Sequence, residues 1–281
     1  MSLANGLNRM GGESSLRRCA ANVMTALNVL ARPRRVRAPR SDAYSLPIVA
    51  IAAGVAVAVF LFLAWTLDAV ASRGGGHLPR WIISVFDEIT DFGKSGWFLW
   101  PLGLLFLALA ALPPSTPFSQ RVLAAVMVRV GFLFTAIAVP SLFVTIVKRI
   151  IGRARSKVGD SLDPFLFDPF KWTAAYAGMP SGHATTAFAV LVAFGTLWPR
   201  ARTALLIYAV LIAISRVVVT AHYPTDVLAG ALVGAGGAMM VRRYFALRQL
   251  GFSIGPGGEV RQLPGPSLRR IKAVARGLLA P

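Results

Sequence analysis

The chain is 281 residues long, 56% hydrophobic and 15% charged, with a formal net charge of +19. That balance excludes a disordered chain and argues for several membrane spans rather than a soluble core. A nucleic-acid binder gathers its charge on a soluble face; here the basic residues flank apolar segments, so a membrane surface is the expected partner and nucleic acid is not.

Residues 1–45 carry eight arginines against Glu13 and Asp42. Leu16, Ala20, Val23, Leu27 and Leu30 recur at helical spacing, with Ser14 or Ser15 placed to cap. Arg17, Arg18 and the Arg32–Arg40 cluster surround that stripe, which predicts an interfacial helix on anionic lipid. The alternative is a basic tail that only sets orientation. Cys19, the single cysteine, allows no intrachain disulfide and no cysteine metal cluster.

The first apolar run, Leu46–Leu67, is long enough to cross about 30 Å of hydrocarbon. Ala69-Val70-Ala71 is similar to a signal-peptidase site, but the run is too long and its basic leader too extended, so an uncleaved anchor is expected. A polar stretch follows, with Gly74-Gly75-Gly76 and then Ile82, Phe86 and Ile89 spaced as a helix resting on the outer surface. The second span is Trp97–Leu112, stopped by Pro113-Pro114. The third is Val122–Val147, with Arg129 expected to snorkel to the headgroups. The fourth is His183–Trp198, the fifth Thr203–Thr220, and the sixth Thr225–Val241. Gly230 and Gly234 in the sixth form a small-xxx-small pair that predicts close helix contact. In the last segment, Leu268, Ile271, Val274 and Leu278 hint at another surface helix.

The expected fold class is all-α: a six-transmembrane-helix bundle with short interfacial helices and basic cytoplasmic tails. It divides into a basic N-terminal segment 1–45, a six-helix membrane domain 46–241 and a basic C-terminal tail 242–281. Both tails share a side when the span number is even, and that side holds 20 of the 30 Lys and Arg residues. By the positive-inside rule it is cytoplasmic. The polar residues at the ends of spans three to six then lie together on the external side, where ionisable groups mark function.

Those residues suit one chemistry. Lys148 and Arg155 stand seven apart and share a face if the third helix continues past the membrane; Gly152 is placed to break it. Arg216 ends the fifth span. Three cations near two histidines repel unless an anion sits between them, and an Arg fork with a Lys point charge matches phosphate oxygens. Arg149 and Arg153 are read as a solvated basic stop. Ser181 and Gly182 open the fourth helix, where backbone N–H groups form an anion cradle, and His183 follows. His222 and Asp226 are four apart; a carboxylate there accepts Nδ1–H and leaves Nε2 as a nucleophile. Asp160, Asp163 and Asp168 share an external loop with the repeated Asp-Pro-Phe, a pattern of turn caps rather than metal ligands. Phe165, Phe167, Phe170, Trp172 and Tyr176 suit the headgroup level, as a lining for substrate or as plain anchors. His77 belongs to no motif.

Lys148…Arg155-Ser156, Pro180-Ser181-Gly182-His183 and Ser215-Arg216…His222…Asp226 resemble the three motifs of the phosphatidic acid phosphatase type 2 and haloperoxidase superfamily. Order and internal spacing both match over residues 97–241. The departure is Ser156 where the family has proline, which is expected to loosen the backbone after Arg155. The resemblance implies catalysis by His222, His183 and Asp226: His222 forms a phosphohistidine, Asp226 orients it, and His183 protonates the leaving oxygen. It implies a phosphate clamp of Lys148, Arg155, Ser181, Gly182 and Arg216, with no metal and no cofactor.

The implied activity is a bacterial inner-membrane lipid phosphatase working at the periplasmic face on a phospholipid or isoprenoid-lipid phosphate. Undecaprenyl diphosphate, phosphatidylglycerophosphate, phosphatidate and lipid A 1-phosphate are the candidates. A phosphotransferase using the same phosphohistidine is the alternative within the chemistry. A transporter or scaffold is the alternative outside it, disfavoured by the lack of internal repeats.

Overall fold

The computed structural model describes residues 14–33, 35, 46–68, 70–71, 78–114, 116–156, 158 and 163–279. Glu13, Arg34, Arg37, Arg40, Asp42, Ala69, the Gly74–Gly76 run, His77 and Asp160 lie outside the described residues.

The chain is mostly helical: α1 Ser15–Ala31, α2 Leu46–Leu63 continuing as a π-helical turn Ala64–Asp68, α3 Arg80–Asp91, α4 Gly96–Ala111, α5 Pro117–Ile151, α6 Gly182–Leu197, α7 Arg202–Val218, α8 Pro224–Leu247 and α9 Leu268–Leu279. Each predicted apolar run is a helix. Among the described residues, four stretches are long and apolar enough to cross a membrane: Arg80–Ala111, Pro117–Ile151, Pro199–Val218 and Pro224–Leu247. The other two runs are helices of 18 residues (α2) and 16 residues (α6). At 1.5 Å per residue the 35 residues of α5 reach about 50 Å, so the predicted span is only its middle. Leu104, Leu142, Phe143, Ile207, Leu232 and Met240 are exposed on these helices, a surface that suits lipid tails and not water.

The chain divides into two compact units. The first combines residues 1–39, 98–135 and 240–281. Its aromatic centre is Phe132, with ring centroids 5.6 Å from Phe245 and 4.7 Å from Phe252. Ser14 caps α1, whose Asn22 Nδ2 donates to Ala110 O at 2.8 Å. The stripe of α9 packs on protein: Val274 is buried with Val122 and Leu123, and Ile271 and Leu278 flank it. The guanidinium of Arg129 donates to the carbonyls of Ala125 and Leu263. The all-α reading omitted a two-stranded antiparallel hairpin, β1 Phe252–Ile254 with β2 Val260–Gln262, turned by Gly255-Pro256-Gly257-Gly258. That turn chemistry was legible.

The second unit combines residues 40–97 and 136–239 and contains every candidate site residue. Ala187, Ala209 and Ile212 form its core between α6 and α7, with Ile89 of α3 packed against them. Tyr208 of α7 also donates to Phe92 O at 2.9 Å, so α3 is docked on the unit and does not merely rest on a surface. A Cβ on Gly230 or Gly234 would run into the backbone of Ser181 or Thr185, which is the close approach that the small-xxx-small spacing predicts.

Gly152 ends α5 with φ +63, and the Asp168 carbonyl occupies the space a Cβ would need. Only glycine meets both conditions. Gly152→Ala is therefore expected to destabilise the protein by more than the roughly 1–2 kcal/mol of the left-handed backbone alone; a Tm unchanged in detergent would contradict this.

Candidate active site

The site is assembled from four local structures in the second unit. The first is the stretch after Gly152, which is extended rather than helical. Arg153 pairs with Phe167 in an isolated antiparallel bridge, Ala154 N donates to Leu166 O at 2.9 Å, and Arg155 N donates to Ala175 O at 2.9 Å. In extended backbone, residues two apart share a face. Arg153 and Arg155 therefore turn to the same side, and the continued helix that would have aligned Lys148 with Arg155 does not exist. Lys148, on the last turn of α5, nevertheless lies within electrostatic range of Arg155.

The second is the start of α6. Pro180 follows a cis peptide bond, Ser181 is the N-cap, and Gly182 begins the helix. Ser181 N donates to Asp226 O at 2.9 Å, which ties this corner to the start of α8.

The third is the turn between α7 and α8. The Arg216 carbonyl accepts from Ala221 N at 3.1 Å and His222 N at 3.3 Å, so the spacing from Arg216 to His222 is the length of one closed turn. Thr220 within it has φ 51, a strained value for a β-branched residue. Asp226, on the first turn of α8, accepts from Tyr223 N at 3.0 Å, and its Oδ2 lies 3.5 Å from His222 Nδ1. That separation is an electrostatic contact, longer than a hydrogen bond.

The fourth is α3. Its buried Thr90 accepts from Arg216 Nη1 at 2.6 Å and so aims the guanidinium.

These pieces bring His183 within electrostatic range of His222 and Arg216, and His222 within range of Asp226, Arg216 and Arg155. His222 is buried, which pushes its pKa below the ordinary value of 6.5; Asp226 opposes that shift, and Arg216 and Arg155 add to it. Burial and Arg149 likewise lower Arg155, with Asp226 acting against them. Among the described residues, the buried side-chain atoms with no hydrogen-bond partner are Arg155 Nε, Arg216 Nε, Ser181 Oγ, His222 Nδ1 and Ser141 Oγ. Four of the five belong to this one cluster, and buried polar groups are seldom left unpaired unless they serve a ligand or a reaction.

A family model described as the PAP2 superfamily matches residues 129–249. Two curated relatives, lipid A 1-phosphatases of Rhizobium etli and Rhizobium johnstonii, are each 34% identical over 190 residues. The match covers 67% of this chain and 82% and 78% of theirs. A crystal structure of a transmembrane PAP2-type phosphatidylglycerolphosphate phosphatase from Bacillus subtilis is 22% identical, covering 66% of this chain and 92% of that one with a TM-score of 0.46. The chain belongs to the PAP2 superfamily.

It is a membrane phosphatase of that family. Where the family motif has proline, Ser156 Oγ donates to Thr220 O at 2.7 Å and ties the arginine loop to the strained turn that carries His222. Asp163 caps its own turn by accepting from Phe165 N at 2.8 Å, and Asp168 pairs with Lys171 at 2.6 Å. Lys171 Nζ lies 4.2 Å from the Tyr176 ring centroid; Phe170 and Trp172 are exposed.

The clearest correction concerns Arg153, which is no solvated stop. Its side chain is 1% exposed and forks between Asp226 Oδ1 at 2.6 Å and Asp68 Oδ2 at 2.8 Å. It also donates to Thr225 Oγ1 and to Pro164 O, and stacks 4.7 Å from the Tyr223 ring centroid. The signal for Arg153 was its place two residues from Arg155 after a glycine. Nothing local marked Thr90 or Asp68. Arg149, by contrast, is only half-buried and donates to Thr173 O. Arg153→Ala removes the cation that two buried carboxylates share and is expected to lower stability by roughly 3–5 kcal/mol. Arg149→Ala is expected to stay within about 0.5 kcal/mol. Thermal unfolding in detergent separates the two.

Proposed function

We propose that this phosphatase hydrolyses the phosphomonoester of a lipid, with lipid A 1-phosphate as the substrate. Supporting the substrate are the two relatives at 34% identity that carry that name. The observation that carries the chemistry is the cluster of buried His222 and Arg216 with half-buried His183 and Arg155, which has unpartnered donors among its members.

In this reading the phosphate oxygens sit among Lys148, Arg155, Arg216 and the Ser181–Gly182 helix start. His222 Nε2 donates its lone pair to phosphorus, and the bond from phosphorus to the lipid oxygen breaks. His183 gives its proton to that oxygen, so the lipid leaves as an alcohol. Asp226 balances the charge that appears on the His222 ring. Water then gives a proton to His183, attacks the phosphohistidine, and inorganic phosphate leaves with His222 restored. Phosphoryl transfer needs positioning and charge neutralisation above all, and fixed cations in a buried site supply both.

The same reading makes α2, α4, α5, α6, α7 and α8 six spans of the bacterial inner membrane, forming a membrane domain 46–241 between cytoplasmic segments 1–45 and 242–281. The site residues then share the periplasmic end of α5 to α8. The basic face of α9, with Arg269, Arg270, Lys272 and Arg276, lies toward anionic lipid of the cytoplasmic leaflet.

Purified protein in detergent is expected to release phosphate from lipid A 1-phosphate in preference to phosphatidylglycerophosphate, phosphatidate and undecaprenyl diphosphate, with no loss in chelator. His222→Ala should abolish turnover and Ser181→Ala should only weaken it. A different preferred lipid would overturn the substrate; full activity of His222→Ala would overturn the mechanism. Because burial lowers His222, its ring stays neutral below pH 6.5, and acid inactivation comes only as the pH falls further. An acid limb of kcat/KM at or above 6.5 would contradict a buried nucleophile at this position.

A further inference from the structure

Asp68 closes the π-helical turn at the end of α2, 85 residues from Arg153 in the chain, and belongs to none of the family's motifs. It is fully buried. One oxygen accepts from Thr225 N at 3.0 Å, and the other accepts from Arg153 Nη2 and Thr225 Oγ1. Thr225 N is one of the first amides of α8, which have no partner within their own helix. Asp68 therefore acts as an N-cap supplied from a distant element. Asp226, one residue on, reaches back to Tyr223 N as in a capping box. Both acids thus hold the start of α8, and His222 is the residue just before Tyr223.

The charges make the arrangement more than a cap. Arg153 offers one guanidinium to two carboxylates, so Asp226 shares its cation with Asp68 instead of holding it whole. Without Asp68, the whole charge of Arg153 would fall on Asp226, and Asp226 would have less to offer an imidazolium forming 3.5 Å away.

We propose that Asp68 is a positioning residue for the reaction at His222, acting through Arg153 and Asp226. The inference rests on the reading of His222 as nucleophile. Asp68→Asn keeps the shape and the acceptor for Thr225 N but removes the charge. Detergent-purified Asp68→Asn is expected to lose about 10–100-fold in kcat, with KM within about threefold. In an Asp226→Asn background the same change should add little, because the two acids act on one ring.

A readout independent of turnover is the titration of His222 followed by NMR in histidine-labelled protein. Asp226, Arg155, Arg216 and His183 also face that ring and are unchanged in Asp68→Asn. Losing a carboxylate should then move the His222 titration to lower pH. Wild-type kcat and an unmoved titration in folded Asp68→Asn would overturn the proposal, as would additive losses in the double mutant. Should Asp68→Asn fail to fold, Arg153→Lys decides the question: it keeps the cation but loses the fork, and undiminished kcat would sink the idea. Wild-type protein that releases no phosphate from any of the lipids would defeat the nucleophile reading instead, with the titration still testing Asp68.

Discussion

A guanidinium held away from water between two carboxylates is the contact on which the second unit depends. Taking three charges out of water is costly, and an apolar replacement of similar volume is often as stable or more so. Such a cluster is kept where geometry matters. Here Arg153 joins three segments that are remote in sequence: the end of α2 through Asp68, the loop after α5, and the first turn of α8 through Thr225 and Asp226. Tyr223 stacks on the same guanidinium and follows His222 directly. The position of the histidine ring is thereby referred to a buried ion cluster and not to a loop alone.

Around that anchor two further arginines are held by neutral partners. Thr90 takes one nitrogen of Arg216, and the backbone of Arg155 is pinned to Ala175. Neither contact neutralises charge. The outcome is a set of positive side chains held close together beside two imidazoles, with Nε of both arginines buried and unpartnered. Mutual repulsion in such a site is the electrostatic counterpart of affinity for a phosphate, because an anion relieves it. The arrangement also separates roles within one sequence motif: Arg155 keeps a buried, unpartnered Nε, whereas Arg153, two residues earlier, is consumed by carboxylates.

The strain in the turn before His222 belongs to the same picture. Thr220 adopts a left-handed backbone, and its carbonyl is held by Ser156. A strained residue persists only where its surroundings over-determine it. Here the surroundings are the Arg216 carbonyl on one side and the arginine loop on the other. A serine in place of proline therefore does structural work that a proline ring has no donor to perform.

Apolar periodicity, run length and turn residues determined much of this protein. They located every long helix though not its full length, the break at Gly152, the tight crossing at Gly230 and Gly234, and the three motifs whose residues meet in the cluster. Those features are local, or nearly so, and short-range backbone preference encodes them. Tertiary structure alone decided which buried charges meet. Arg153 read as one more cation in a basic stop, Asp68 as the first polar residue after a span, and Thr90 as part of a surface helix. Arg153 finds Asp68 85 residues away and Arg216 finds Thr90 126 residues away. The worth of a buried ion pair depends on the surfaces that exclude water around it, and those surfaces exist only once distant segments have packed.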